Sequence, residues 1–227
     1  MANTRDVNLA ELRIHSTHLD DAISAILHTI LFVRAPNIVK AKDQTCETLS
    51  PLIFAKCGPK EVDDIIHAAL GLLKRSLYWA GGEHLRGEVT LSFYDKREVK
   101  EYLGFVTRSE HICFERWRLC VVLMDSRSGR DSRDGRDRRD SRDSREGRDS
   151  REGDQAAYKA AYDQVTRSMM TVIETVNAAT DHVPLTAYEY EIDVTEPHVG
   201  ERRQATGSTP IPIAGGGAGG AGGTHAR

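Results

Sequence analysis

The chain has 227 residues and a formal net charge of −3, a balance too small to argue for a polyanionic partner or an anionic membrane surface. No apolar run reaches the roughly 18 residues of a membrane span, and the opening MANTRDVNLAEL lacks the apolar region of a signal peptide. Residues 125–154 are almost wholly Arg, Asp, Glu, Ser and Gly, and 197–227 are rich in Gly, Ala, Thr and Pro; setting both aside leaves about 165 residues, enough for one domain with an ordinary core.

In chain order, VNLAELRI (residues 7–14) reads as a short strand with imperfect alternation. Ser16 or Thr17 is placed to cap a helix running to about Val33, with Asp20 and Asp21 favourable in its first turn. Leu19, Ile23, Ile26, Leu27, Ile30 and Leu31 form its apolar stripe. Residues 37–57 are ambiguous, with a candidate strand at Leu52–Ala55. A second helix begins at Pro59, a residue suited to a first helical position. Its stripe is Val62, Ile65, Ile66, Ala69, Leu70, Leu73 and Leu77, and Gly81-Gly82 stops it.

Glu88 to Tyr94 alternates as a half-buried strand, with Val89, Leu91 and Phe93 on one face. Cys113 to Met124 is a second such strand: Trp117, Leu119, Val121 and Leu123 face one way, Arg116 and Arg118 the other. A third helix spans about Gln155 to Asn177, with Tyr158, Tyr162, Val165, Met169, Val172, Ile173 and Val176 inward. Tyr188 to Val194 is a last alternating strand. In/out alternation implies a mainly antiparallel sheet with one wet face, and three amphipathic helices covering the other give an α+β fold.

Several strings in this order resemble the autophagy-related protein 101 family: AISAILHTILFVR (Ala22–Arg34), VTLSFYDKR (Val89–Arg97), ERWRLCVVL (Glu115–Leu123) and TVIETVNAATDHVP (Thr171–Pro184). The resemblance implies a HORMA domain over residues 7–195, interrupted by a disordered insertion at 125–154 and followed by a disordered tail at 196–227. It further implies a non-catalytic binding subunit without cofactor or metal. Such a subunit pairs with the HORMA domain of autophagy-related protein 13 within the autophagy-initiation kinase complex. It would sit in the cytoplasm at the preautophagosomal structure, without inserting into the membrane. The family carries a protruding loop whose Trp and Phe recruit downstream factors. The corresponding segment is Glu98–Glu110, EVKEYLGFVTRSE, which has no Trp; Tyr102, Leu103 and Phe105 are the nearest counterparts. Exposed aromatics bury much area on docking and lose little entropy. HORMA dimerisation points to the third helix and the adjoining edge as a partner surface, with Arg167 and Met170 as candidate contacts on the helix. The sequence after Val194 departs from the family, since ERRQATGSTPIPIAGGGAGGAGG does not read as a closing segment.

The insertion holds ten Arg and ten acidic residues between Asp125 and Asp154, so its net charge is zero. Arg-rich tracts contact RNA, but interleaved acids cancel the field on which phosphate binding relies, so nucleic acid is not the expected partner. The other rival reading is a checkpoint- or chromosome-type HORMA module that closes around a peptide. Enzyme motifs are missing: there is no G-x-G-x-x-G, phosphate loop, H-E-x-x-H or G-x-S-x-G. His15 and His18 make an H-x-x-H without accompanying ligands. His28 reads as a structural histidine. Cys46, Cys57, Cys113 and Cys120 form no C-x-x-C pair and are expected as free thiols. Cys57 precedes a helix start, where a thiolate would be favoured, yet no His/Asn pattern makes it a nucleophile. Cys113 and Cys120 lie seven apart and, in a regular strand, face opposite sides.

Overall fold

A computed structural model describes residues 4–34, 40–79, 85–101, 106–124, 146–184 and 188–195, all within one unit, Met1–Pro197. Strands β1 (Arg5–Asn8) and β2 (Leu12–Ile14) lead into helix α1 (Leu19–Val33). A hairpin of β3 (Ala41–Thr45) and β4 (Ile53–Cys57) comes next, then α2 (Lys60–Trp79). Strands β5 (Leu85–Glu101) and β6 (Val106–Leu123), helix α3 (Glu146–Ala178) and β7 (Tyr188–Thr195) complete the order. The main sheet runs β1-β6-β5-β7, with β2 continuing the β1 edge along β6. Pairings of β5 with β6 and β7 are antiparallel, while β1 and β2 pair with β6 in parallel. This is the α+β, HORMA-like arrangement of three helices and a mainly antiparallel sheet.

The alternating strands put Val89, Leu91, Phe93, Trp117, Leu119, Val121 and Leu123 into the core, each 2% exposed or less. Helix α1 is buried nearly all round, from Leu19 to Leu31. Its flanks pack on α2 and α3, and the β3–β4 hairpin lies against it. A helix so enclosed needs apolar residues beyond one stripe, which Ala22 and Ala25 supply at 0% exposure. Gly87 is where α2 comes closest to β5, since a Cβ there would lie 2.7 Å from Leu73 Cδ1.

Several local expectations change. VNLAELRI is two strands, because one residue is inserted between them: Asn8 pairs with Arg118 but Leu12 with Val121. The slip lets Leu9 and Leu12, three apart, both reach the core. That is the source of the imperfect alternation. The cap before α1 is neither Ser16 nor Thr17. A 3-10 turn spans Ser16–His18, and His15 Nδ1 accepts the Thr17 amide at 3.4 Å. Strand β3 escapes a pattern reading because all five of its residues are exposed.

Strands β5 and β6 are far longer than the alternation suggests. Beyond Asp95, the last β5 residue paired with β7, they continue as a two-stranded ribbon to Glu101 and Val106. At the base of this ribbon Lys96, Arg97, Ser109, Glu110 and His111 are all exposed, so they carry no period. Most of the expected loop Glu98–Glu110 is therefore strand.

Helix α3 begins at Glu146, inside the charged tract, rather than near Gln155. Glu and Arg are good helix formers, and Arg148 and Glu152 stand four apart, a favourable spacing. Residues 125–145 of the insertion and 196–227 of the tail lie outside the described residues, as do Gly81-Gly82. Along α3 the inner stripe includes Ala161 and Ser168. Ile173 is instead 37% exposed, because it sits one helical step past buried Val172, outside the contact with α1 and β2.

Candidate functional site

The sequence-designated binding residues fall in two places. Tyr102, Leu103 and Phe105 fall in the sequence between the two arms of the ribbon and lie outside the described residues. Arg167 and Met170 lie on the outward side of α3, with Met170 50% exposed. Ile173 joins Met170 one turn further on, so two large apolar side chains are presented to solvent next to an Arg. The opposite side of the same helix is anchored by Val165 and Val172, both fully buried. That outward face is what α3 offers a partner.

A buried polar knot fixes the end of α3 relative to the sheet. Arg34, the residue after α1, is 4% exposed, and Glu115 on β6 is 0% exposed. Arg34 Nε and Nη2 donate to the two Glu115 oxygens at 2.9 and 2.8 Å, a bidentate pair. Trp117 Nε1–H and the His182 ring also bond the Glu115 carboxylate. Arg34 Nη2 and Arg5 Nη1 each donate to the Ala179 carbonyl at 3.3 Å, and the Tyr188 hydroxyl donates to the Arg34 carbonyl. The knot thus ties α1, β6, the α3–β7 connection and β7 together. A buried charge persists only when paired and hydrogen-bonded, and Glu115 meets that condition fully. Sequence reading missed it: Glu115 lies inside the expected strand Cys113–Met124 with the parity of Trp117, but no local pattern pairs it, and its partner is 81 residues away.

Glu115 points inward by the same alternation as Trp117, and its neighbour Phe114 is buried as well because β6 carries a bulge there. Register shifts between Phe93 and Tyr94, so Glu115 pairs with Phe93, Cys113 pairs with Tyr94, and Phe114 is the extra residue. The same shift reverses the expectation for the cysteines. Cys113 and Cys120 lie on one face, opposite Tyr94 and Glu88 respectively. Six β5 positions, about 20 Å, separate them. No group of three or more His, Cys, Asp or Glu among the described residues is placed to hold a metal ion.

The remaining candidates for chemistry are structural. Burial pushes the Cys57 thiol up to about 11 and the Cys46 thiol up to about 12. Cys57 Sγ donates to the His28 carbonyl at 3.6 Å. His18 lies edge-on against Tyr158. His28 is 3% exposed and stacked on Phe54. Its Nδ1 accepts the Cys57 amide at 3.2 Å, which leaves the proton on Nε2, 3.3 Å from Asp63 Oδ1. Burial outweighs Asp63 and lowers the His28 pKa from 6.5 to about 4.

An unfolded chain protonates this histidine near pH 6.5, whereas the native state does so only near 4. Stability from this residue is therefore full above pH 6.5 and is lost as the pH falls towards 4. Between about pH 7 and pH 5 the loss is expected to be about 2 kcal/mol. Urea unfolding at several pH values measures it, and His28→Phe should flatten that part of the slope. An unchanged slope would show that His28 already titrates normally in the folded protein.

The family model described as Autophagy-related protein 101 matches residues 11–189. The chain belongs to the autophagy-related protein 101 family. That match runs from β2 into β7 and so covers the helices, the ribbon and the knot. An Arabidopsis thaliana protein described as Autophagy-related protein 101 is 27% identical over 116 residues, 51% of this chain and 51% of the relative. The aligned stretch spans about half the length of that relative. Among the described residues, no helix is long and apolar enough to cross a membrane.

Proposed function

We propose that the protein is a non-catalytic scaffold subunit of the autophagy-initiation complex. It pairs with the HORMA domain of autophagy-related protein 13 through the outer face of α3. It presents the tip of the β5–β6 ribbon, with Tyr102, Leu103 and Phe105, to downstream factors at the preautophagosomal structure. The family supports the autophagy role. The observation that carries the pairing surface is the exposed Met170–Ile173 pair, at 50% and 37%, beside Arg167 on an otherwise polar outward face. Apolar anchors next to an Arg are the composition that dominates interface energetics.

Two double variants test the assignment by co-purification. Met170→Glu with Ile173→Glu places two charges in the contact and should weaken pairing by more than about 2 kcal/mol, roughly thirtyfold or more. Both sites are exposed, so the monomer should stay folded. Tyr102→Ala with Phe105→Ala should leave pairing intact and abolish downstream recruitment. Failure of the unmodified chain to form the pair, while itself stable, overturns the proposal. A deletion of 125–145, which spares α3, separates this reading from RNA binding through the tract: pairing should survive it.

A further inference from the structure

The main sheet has two edges, and they are treated differently. On the β2 edge, the Gln164 side chain of α3 acts as a surrogate strand. Its Oε1 accepts the Arg13 amide at 2.9 Å, and its Nε2 donates to the Arg13 carbonyl at 3.0 Å. A side-chain amide has the same donor and acceptor pair as a peptide unit, so it occupies the edge and blocks further pairing.

The β7 edge has no such cover among the described residues. Eight residues, Tyr188–Thr195, pair with β5 on one side, and no strand among the described residues pairs on the other. In an antiparallel strand every second residue aims its backbone N–H and C=O away from the partner, so β7 offers an unfilled ladder. Its side chains divide cleanly. Tyr190, Ile192 and Val194 are packed against the core yet only partly buried. Glu189, Glu191 and Asp193 lie on the outer face.

The outer-face stripe of β7 itself is acidic. Across the ladder from Glu189, Glu191 and Asp193 stand Tyr94, Ser92 and Thr90, all uncharged. At the far end of the stripe, Glu189 lies 3.6 Å from Lys96 Nζ and 3.9 Å from the His111 ring. Arg116 and Arg118 of β6 pair with Asp6 at 3.8 and 3.4 Å. A groove of about 320 Å³ on this face is lined by Glu88 and Asp193 and, from β6, by Arg116 and Arg118.

We propose that the β7 edge is a strand-addition site for an extended peptide segment with alternating basic and apolar residues. The backbone of the segment completes the β7 ladder. Its Lys or Arg side chains lie over Glu189, Glu191 and Asp193, while its alternate apolar residues extend the row of Tyr190, Ile192 and Val194. Main-chain bonds supply affinity and the alternation supplies specificity; directly opposed unlike charges add to it. The site is distinct from α3 and from the ribbon tip, so it does not depend on the pairing proposed above.

The full chain is titrated with a fluorescent decapeptide of alternating Lys and Val, and with a scrambled peptide of the same composition. The alternating peptide should bind at least tenfold more tightly. Methylating its backbone nitrogens at every second residue should abolish binding in one phase and spare it in the other, the signature of a ladder. Glu191→Lys with Asp193→Lys should cost at least tenfold for this peptide and restore binding to one alternating Glu and Val; circular dichroism confirms that the variant is folded. Equal binding of the scrambled peptide, or indifference to methylation phase, overturns the proposal. So does failure of the alternating peptide to bind, the result expected if another part of this chain or a second copy already holds the edge.

Discussion

Glu115→Ala is expected to destabilise the protein by about 3–5 kcal/mol, the penalty for stranding a buried charge. The stranded group is the Arg34 guanidinium, 4% exposed, which would keep only its 3.3 Å bond to the Ala179 carbonyl. Trp117 Nε1 and the His182 ring lose their acceptor as well. Arg34→Ala should cost a similar amount, by stranding the carboxylate. A double replacement with Arg34→Met and Glu115→Leu should cost much less than the sum, because neither charge is then left buried alone. Urea unfolding of the two single variants and the double variant closes this cycle. A single-variant loss below about 1 kcal/mol would mean that solvent reaches the pair on its own, contrary to the burial described.

The knot also determines where the damage spreads. Ala179 and His182 belong to the connection between α3 and β7, and Tyr188 opens β7. Glu115→Ala should therefore raise amide exchange in 179–195 before it does so in β1 or β2. A uniform rise would make the knot a contributor to global stability only.

Phe93→Ala carries the second large effect, about 3–5 kcal/mol from lost burial and the cavity left behind. Phe93 is 1% exposed. Its ring centre lies 6.1 Å from Phe114, 6.0 Å from Tyr188 and 6.3 Å from Tyr190. Those two tyrosines are among the residues by which β7 reaches the core, so Phe93 both fills the core and seats the edge strand. Val89, 1% exposed and paired with Val194, is the comparison. Val89→Ala removes fewer atoms and no ring contacts, so it should cost less. The alternating Lys-Val peptide should lose more affinity in the Phe93 variant than in the Val89 variant. Equal losses would mean that β7 is held mainly by its ladder to β5.

Much of the fold was legible from local pattern, for a physical reason. The stripes of α1 and α2, the inner rows of β5 and β6, and β7 each bury one periodic set of side chains, and that periodicity is written in the sequence. It fails where burial is absent or irregular. The exposed strand β3 and the exposed base of the ribbon have no core behind them. The slip between β1 and β2 and the bulge at Phe114 each add one residue and reverse the parity of the side chains on either side of it. The second of these put Cys113 on the same face as Cys120. The site was less legible than the fold. Arg167 and Met170 are outward as expected, but Ile173 was assigned inward.

By itself, the sequence determined the element order, most of the core and the family, because these rest on local periodicity and on strings of consecutive residues. Only the tertiary structure decided which polar groups are buried and which edges are open. Arg34 meets Glu115 across 81 residues, and Gln164 caps Arg13 across 151. No local pattern specifies such pairs, since each depends on where two remote elements come to rest against the same core.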